Sequence, residues 1–375
     1  MPNTKSRRLE EHFAELTDPR RRKVTYPLIN IVVIAVCAVI CGADDFVAIA
    51  AFGEKKRHWF AHFLDLKDGI PSHDRFNAIL GAIKPAEFEQ CLLSWITALH
   101  EITEGQIVAI DGKTLRRSYD AATSKSAIHM VSAWATANQI SLGQVVVDAK
   151  SNEITAIPKL LKMLEISGCL VTIDAMGCQT EIARSIVDGG ADYVLHVKGN
   201  QPTLQQGIEA FFADHLEDNF AGMKVRRHET MEKGHGREET RSYLVCPVPE
   251  DLPDRDRWYN LKAIGIAIST VQRDGKECNE GRCYILSKYL SGRRFAEAVR
   301  GHWGIENRLH WQLDVTFQED QCRIRKGHAD TNFSLLRRTA LSMLKNESSV
   351  KIGVKNKRLT AAWDDSYLEK VLLGK

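Results

Sequence analysis

Long apolar runs are scarce in this chain of 375 residues. The longest, Leu28 to Gly42, is interrupted by Asn30 and falls short of the ~20 residues that cross a bilayer. It predicts a buried core helix and no membrane partner. The run also begins too far behind a mixed basic and acidic stretch to read as a secretory signal. Paired Cys-x-x-Cys spacing is missing among the nine cysteines; Cys37/Cys41 and Cys278/Cys283 come nearest, and neither matches a zinc ribbon. The expectation is of reduced, partly buried thiols in the cytoplasm. Internal repeats and low-complexity segments are absent, and the net charge is only +3. What is present, 44% hydrophobic and 26% charged residues, is the balance of an ordinary soluble globular protein with room for two or three domains.

The charge is unevenly spread. From Cys322 to Arg358 there are ten Lys/Arg against Asp330 and Glu347, so 10 − 2 gives +8 locally, and Arg20-Arg-Arg-Lys23 forms a smaller cluster. Basic segments on a near-neutral chain suit a polyanion partner, although solvated helix faces account for either cluster taken alone equally well.

Residues 1–104 read as an all-helical N-terminal domain: a helix over Leu28–Cys41 ended by Gly42, a second over Phe46–Leu64, and a third over His73–Ile83 capped by Ser72 and stopped by Pro85. Lys55 to Leu80 has a helix–turn–helix rhythm around Gly69-Ile-Pro71, a pattern common in small α-domains. Residues 105–345 switch to strands and helices. Strands are expected at Ile107–Asp111, Ala127–Ala137, Ile140–Ala149, Leu170–Asp174 and Tyr193–Val197, with helices at Thr155–Leu164 and Gln179–Val187. This order describes an α/β sheet of three antiparallel strands followed by parallel additions. Residues 203–291 look like a β-rich insertion of short strands among charged loops, and 346–375 like a basic C-terminal tail.

Three acids stand where a lone carboxylate needs a partner. Asp111 ends the run Gln106-Ile-Val-Ala-Ile110 and precedes Gly112; Asp174 ends Leu170-Val-Thr-Ile173 and precedes Ala175-Met-Gly177. Each has a plainer explanation, since Asp-Gly signals a turn and Asp174 could cap the next helix. Both nevertheless fall at carboxyl ends of expected strands, where α/β sheets build their sites. Glu306 is harder to explain away. At about 100° per residue, Phe295, Val299, His302, Leu309, His310 and Leu313 fall within about 60° of it, so its carboxylate is expected to point from an apolar face toward the sheet. A glutamate there calls for a partner or a metal. Gly301 and Gly304 are expected on the opposite face. A rival zinc set, His302, Glu306 and His310 at i, i+4 and i+8, does not match HExxH, and hard carboxylate donors suit Mg²⁺ or Mn²⁺ better.

Polar groups gather around these positions. Lys113, Arg116 and Arg117 follow Asp111, and Lys198-Gly-Asn-Gln201 follows the fifth strand, where Gly199 lets a backbone approach and Lys198 can meet a phosphate. Trp303 and Trp311 flank Glu306 and are expected to fill core rather than stack on bases.

Five segments carry a family likeness: Asp111-Gly-Lys-Thr-Leu115, Thr172-Ile-Asp-Ala-Met-Gly-Cys-Gln179, Val197-Lys-Gly-Asn-Gln201, Gly234-His-Gly-Arg-Glu238 and His302-Trp-Gly-Ile-Glu-Asn-Arg-Leu-His-Trp311. Together they resemble bacterial DDE transposases, within them the H-repeat-associated branch of insertion-sequence proteins, over nearly the whole chain. The resemblance implies a ribonuclease H-like catalytic domain with a β-rich insertion before its final helix. It implies that Asp111, Asp174 and Glu306 form the catalytic, metal-holding DDE triad. The implied function is a DNA transposase that cleaves element ends and joins the 3′ hydroxyl to target DNA by in-line phosphoryl transfer, with two Mg²⁺ or Mn²⁺ ions about 3.5–4 Å apart. The implied partners are double-stranded terminal-repeat and target DNA, bound by a homo-oligomer at the bacterial nucleoid. Lys113, Arg116, Lys198, Asn200, Gln201, Arg300 and His302 are the candidate DNA contacts. The family's Tyr-x2-Arg-x3-Glu-x6-Lys signature is not kept: Val299, His302 and Leu313 occupy those places, so the DNA-end contacts of Tyr, Arg and Lys do not transfer. A metal-dependent nuclease and a catalytically inactive DNA-binding relic are the alternative readings.

Overall fold

The computed structural model describes residues 10–21, 24–99, 106–115, 128–137, 139–147, 152–234, 237–273 and 276–373. Its first long helix, α1 (Leu28–Ile40), is apolar on every side and is buried from Asn30 to Ile40. Each fully buried Val or Ile there contributes on the order of 1.5–3 kcal/mol, while Asn30 escapes the cost of burial by donating to the Asp65 carbonyl at 2.6 Å. The chain then turns at Gly42, whose φ of +112° lies where a side chain would be strained. Asp45 caps α2 (Phe46–Lys55) by accepting from the Ala48 N–H. The single helix expected over Phe46–Leu64 is broken at Lys56, leaving a four-residue α3 (Arg57–Phe60), so the helix–turn–helix rhythm has no full first arm. Ser72 caps α4 (His73–Leu80). Pro85, expected only as a stop, opens α5 (Pro85–Leu99), where its missing N–H costs nothing.

A nine-stranded mixed sheet follows, in the order β3-β2-β1-β4-β5-β9-β8-β7-β6. β1 (Ile107–Leu115), β2 (Ile128–Ala135) and β3 (Ile140–Val147) are antiparallel, and β4 (Leu170–Ile173) and β5 (Asp192–Val197) run parallel to β1. α6 (Glu153–Met163), α7 (Thr180–Asp188) and α8 (Pro202–Leu216) complete this part of the chain. The insertion differs from expectation. β6 (Arg226–Gly234), β7 (Arg237–Pro247), β8 (Ala263–Arg273) and β9 (Lys276–Leu286) are long strands, and β9 pairs with β5, so they extend the main sheet instead of forming a separate unit. Charged residues near their outer ends, such as Glu232, Lys233 and Glu277, are exposed.

Next come α9 (Gly292–Ile305), a π-helical turn (Glu306–His310) and α10 (Trp311–Val315), continuous with one another, then α11 (Ala329–Asn346), α12 (Val354–Trp363) and α13 (Asp365–Leu373). One sheet face packs against α6, α7 and α8; the other packs against α9, α10, α11 and the N-terminal helices. The expected basic tail is therefore folded. Ala361, Tyr367, Leu368 and Val371 share one core with α1 and α11, and Lys357 and Arg358 are buried. Arg337 and Arg338 are buried too, since α11 is enclosed on every side from Ala329 to Leu344. No helix among the described residues is long and apolar enough to cross a membrane.

Candidate active site

The pleat of β1 sorts its side chains by alternation. Ile107, Ala109, Asp111 and Lys113 share the face covered by α9 and α11, while Val108, Ile110 and Gly112 face α6. Asp111 does not end the strand as expected. β1 continues to Leu115, with Asp111 paired to Ser132 of β2. The ladder to β4 does stop at Ile110–Ile173, so Asp111 and Asp174 are next in register at the end of the parallel pairing. Asp-Gly reads as a turn in isolation, but β2 supplies partners for four more residues.

Asp174 begins a tight loop. Its Oδ1 accepts from the Gly177 N–H at 3.3 Å. The Lys198–Gln201 segment straps that loop from the next strand: Asn200 Nδ2 donates to the Ala175 carbonyl at 2.7 Å and Gln201 Nε2 to the Cys178 carbonyl at 3.1 Å. Lys198 of the same segment is exposed.

Glu306 opens the π-helical turn and is exposed, while Ile305, Leu309 and Leu313 are buried. The expected inward-facing glutamate is thus corrected: Ile305 takes the inner stripe. Gly301 is corrected as well. A Cβ there would meet Thr136 Cγ2 at 3.3 Å and Ile107 Cγ2 at 3.4 Å, so this glycine faces the sheet and lets α9 approach β1. Trp303 and Trp311, expected in the core, are 38% and 53% exposed; the Arg282 guanidinium lies 4.3 Å from the Trp303 ring centroid.

Asp111 senses the other two acids. Burial raises the Asp111 carboxyl to about 7, with the neighbouring negative charges of Asp174, Glu306 and Glu153 adding to the shift against a hydrogen bond from Gly112. His310 Nδ1 lies 3.4 Å from Asp111 Oδ2; burial, then the positive charges of Arg338 and Lys113, push this imidazole down to about 3. His302 sits across the site with Nδ1 3.4 Å from Thr172 Oγ1, and burial lowers it despite the charge of Asp174. Among the described residues no three His, Cys, Asp or Glu side chains are gathered closely enough to ligate one ion, the His302–Glu306–His310 set included.

Lys113 is not an outward DNA contact. It is 8% exposed, and its Nζ pairs with Asp314 at 2.5 Å and Glu319 at 2.7 Å. Burial opposes the charge of Glu319, but Lys113, Arg338 and Arg337 outweigh it and hold that carboxyl at about 2. Ser334 Oγ donates to its other oxygen at 2.7 Å. Neither acid was singled out in the sequence; the only clue is that both follow Glu306 within fifteen residues of chain. Arg300 pairs with Glu232 of β6 at 2.5 Å on the surface. Arg116 and Arg117 lie outside the described residues. Behind the strand, Glu153 packs onto Gly112 and holds His129 Nε2 at 2.5 Å.

Comparisons with known proteins place the chain in a family. Residues 10–96 match the family described as DDE_Tnp_1-associated, and residues 102–343 match the family described as Transposase DDE domain. The chain is 40% identical to the "H repeat-associated putative transposase YhhI" of Escherichia coli (strain K12), covering 98% of each chain. It is 42% identical to the "Putative transposase YncI" of Escherichia coli O157:H7, covering 97% of this chain and 94% of that one. Among solved structures, the cryo-EM structure of a piggyBac transposase synaptic complex with hairpin DNA overlaps 96% of this chain and 76% of its own at 9% identity and a TM-score of 0.42, too loose an overlap to carry the fold. The matches over most of the chain carry the assignment: this protein belongs to the transposase DDE-domain family.

Proposed function

We propose that this protein is a DNA transposase that cleaves the ends of an insertion sequence and joins the 3′ hydroxyl to target DNA. The observation that carries the reading is the negative charge brought to bear on Asp111 at one sheet edge: burial, Asp174 and Glu306 together raise it to about 7. Like charges held together in this way favour a cation. The strand order 3-2-1-4-5, antiparallel and then parallel, supports a ribonuclease H-like catalytic domain with β6–β9 as its insertion.

Carboxylates are the donors that a hard divalent ion takes, and the two nearest imidazoles are each turned to one partner; a shared ion would draw the three acids closer together than they stand here. Bound by Asp111, Asp174 and Glu306, Mg²⁺ or Mn²⁺ would supply positive charge for the oxygens of an in-line phosphoryl transfer. The chain's own groups set the geometry. Lys113, drawn inward by Asp314 and Glu319, fixes β1 beneath Asp111. His310 braces Asp111, and Asn200 with Gln201 fixes the loop of Asp174. Val299 and Leu313, at two of the places where the family's DNA-end grip stands, are buried and cannot reach DNA. The exposed Lys198, Trp303 and Trp311 are placed to touch a phosphate or stack on a base. Joining two ends calls for more than one copy on the DNA, working at the nucleoid in the cytoplasm.

The test compares wild type and Glu306→Ala on terminal-repeat DNA with Mg²⁺. Cleavage and strand joining are expected from the wild type alone. Equal activity in both sinks the triad; cleavage without joining identifies a nuclease. Wild-type DNA binding without cleavage, unaffected by Asp111→Ala, identifies a relic.

A further inference from the structure

A cleft of about 620 Å³ opens between the α1–α2 turn, Asn77 of α4, and the segment that follows α10. That is the size of a small-molecule site. Its lining includes Arg323, Arg325, Lys326 and Arg337 against Asp44 and Asp45, so 4 − 2 leaves a charge of +2. Both acids are committed elsewhere. Asp45 caps α2 through Ala48, and Asp44 lies 3.5 Å from Arg358.

One side chain of the lining also keeps a buried polar atom that protein groups do not satisfy. Arg337 is 2% exposed, stacks over Phe333 at 4.4 Å, and leaves its Nε without a hydrogen-bond acceptor. Buried donors of this kind are costly unless an acceptor meets them. An anion with several acceptor oxygens suits this cationic rim.

Its position ties the cleft to the carboxylates. Gln318 and Gln321 line it, while Glu319 between them turns inward to Lys113, two residues from Asp111. Ser334 on α11 holds the other side of Glu319, and Arg337 lies one turn further along that helix. The cleft and the acids thus share one wall.

We propose that this cleft binds a phosphodiester of the DNA strand leading to the catalytic carboxylates. The inference rests on the transposase reading and adds a place for the DNA that the altered Tyr/Arg/Lys positions do not provide. Cys322 lines the cleft and is half-buried, so it reports occupancy once the exposed Cys278 is replaced by serine. In the full-length Cys278→Ser protein, terminal-repeat duplex is expected to slow Cys322 alkylation, read by mass spectrometry of the labelled peptide. The Arg323→Ala/Lys326→Ala variant is expected to lower the slope of log affinity against log salt by about 2, near 0.9 for each lost phosphate contact, while Lys262→Ala leaves the slope unchanged. DNA that binds without protecting Cys322, and with an unaltered slope in the double variant, overturns the cleft and leaves the transposase reading intact. A wild type that binds no DNA at any salt overturns both. Protection by millimolar inorganic phosphate but not by DNA marks a free-anion site and overturns the strand assignment.

Discussion

Replacing Lys113 by methionine separates an internal brace from a DNA contact. The side chain lies between Asp314 at 2.5 Å and Glu319 at 2.7 Å, and Glu319 is 2% exposed. Removing the ammonium leaves a buried carboxylate short of its nearest cation, a loss of about 3–5 kcal/mol. For 375 residues at ~2.1 cal/mol/K each, the unfolding entropy is about 0.79 kcal/mol/K, so the midpoint should fall by about 4–6 °C. The pH dependence carries the same information. Folding holds Glu319 at about 2, below its ordinary 4.5, so its contribution is complete above pH 4.5 and is lost as pH falls toward 2. Lys113→Met should lose much of that acid-side slope. The assay is thermal unfolding by circular dichroism at pH 7 and pH 3. If the single variant unfolds at the wild-type temperature and loses only DNA affinity, with a shallower salt slope, the brace is wrong and Lys113 is a phosphate contact after all.

Three further outcomes follow from local geometry. Gly112→Ala would set a methyl 2.0 Å from the Glu153 Oε1 that also meets His129, so it should cost about 1–3 kcal/mol in urea unfolding, relieved by a second change, Glu153→Ala; a single variant as stable as wild type would refute this packing. Burial raises Glu89 to about 7 despite a hydrogen bond from Gln144 and the charge of Arg338, so its contribution is complete below pH 4.5 and falls as pH rises to 7; Glu89→Gln should flatten that window and gain roughly 3 kcal/mol at pH 8, and parallel profiles would count against it. Asn200→Ala removes the 2.7 Å strap on the Asp174 loop, so single-turnover cleavage should slow up to about tenfold, matching ~0.5–1.5 kcal/mol, with DNA affinity unchanged; a loss of affinity alone would make Asn200 a DNA contact.

The core of the sheet was legible because its strands are apolar runs with clear ends: expected and observed limits for the first five strands agree to within a few residues, except at Leu115. That exception has a physical cause. Asp111-Gly112 favours a turn locally, but a partner strand distant in sequence satisfies the backbone beyond it. The insertion strands were underestimated because segments such as Lys276-Glu-Cys-Asn-Glu280 carry charge where the sheet is uncovered. The C-terminal charges misled in the opposite direction. Arg337, Arg338, Lys357 and Arg358 are buried by helices whose mutual packing no local pattern announces. The three acids were legible as residues, and Asp111 and Asp174 as neighbours. The partners of Lys113 were not, since they come from a turn of chain two hundred residues away.

The π-helical turn explains why the helical-face count placed Glu306 inside. A uniform helix would put 295, 299, 302, 306, 309 and 313 on one stripe, and five of those six do face inward or toward the site. The turn inserts extra backbone at 306–310, so Ile305 enters the core beside Leu309 and Leu313 while Glu306 rotates to the stripe's edge. Such bulges interrupt the regular hydrogen-bond ladder and recur where function requires an unusual side-chain direction. A glutamate fully inside this apolar face would be driven toward its neutral form and sealed from substrate. At the edge it keeps solvent on one side and still raises Asp111 from the other. An acid that must meet both a cation and an incoming DNA strand is better served by that edge than by the core, so the departure from helical periodicity favours the catalytic role over a structural one.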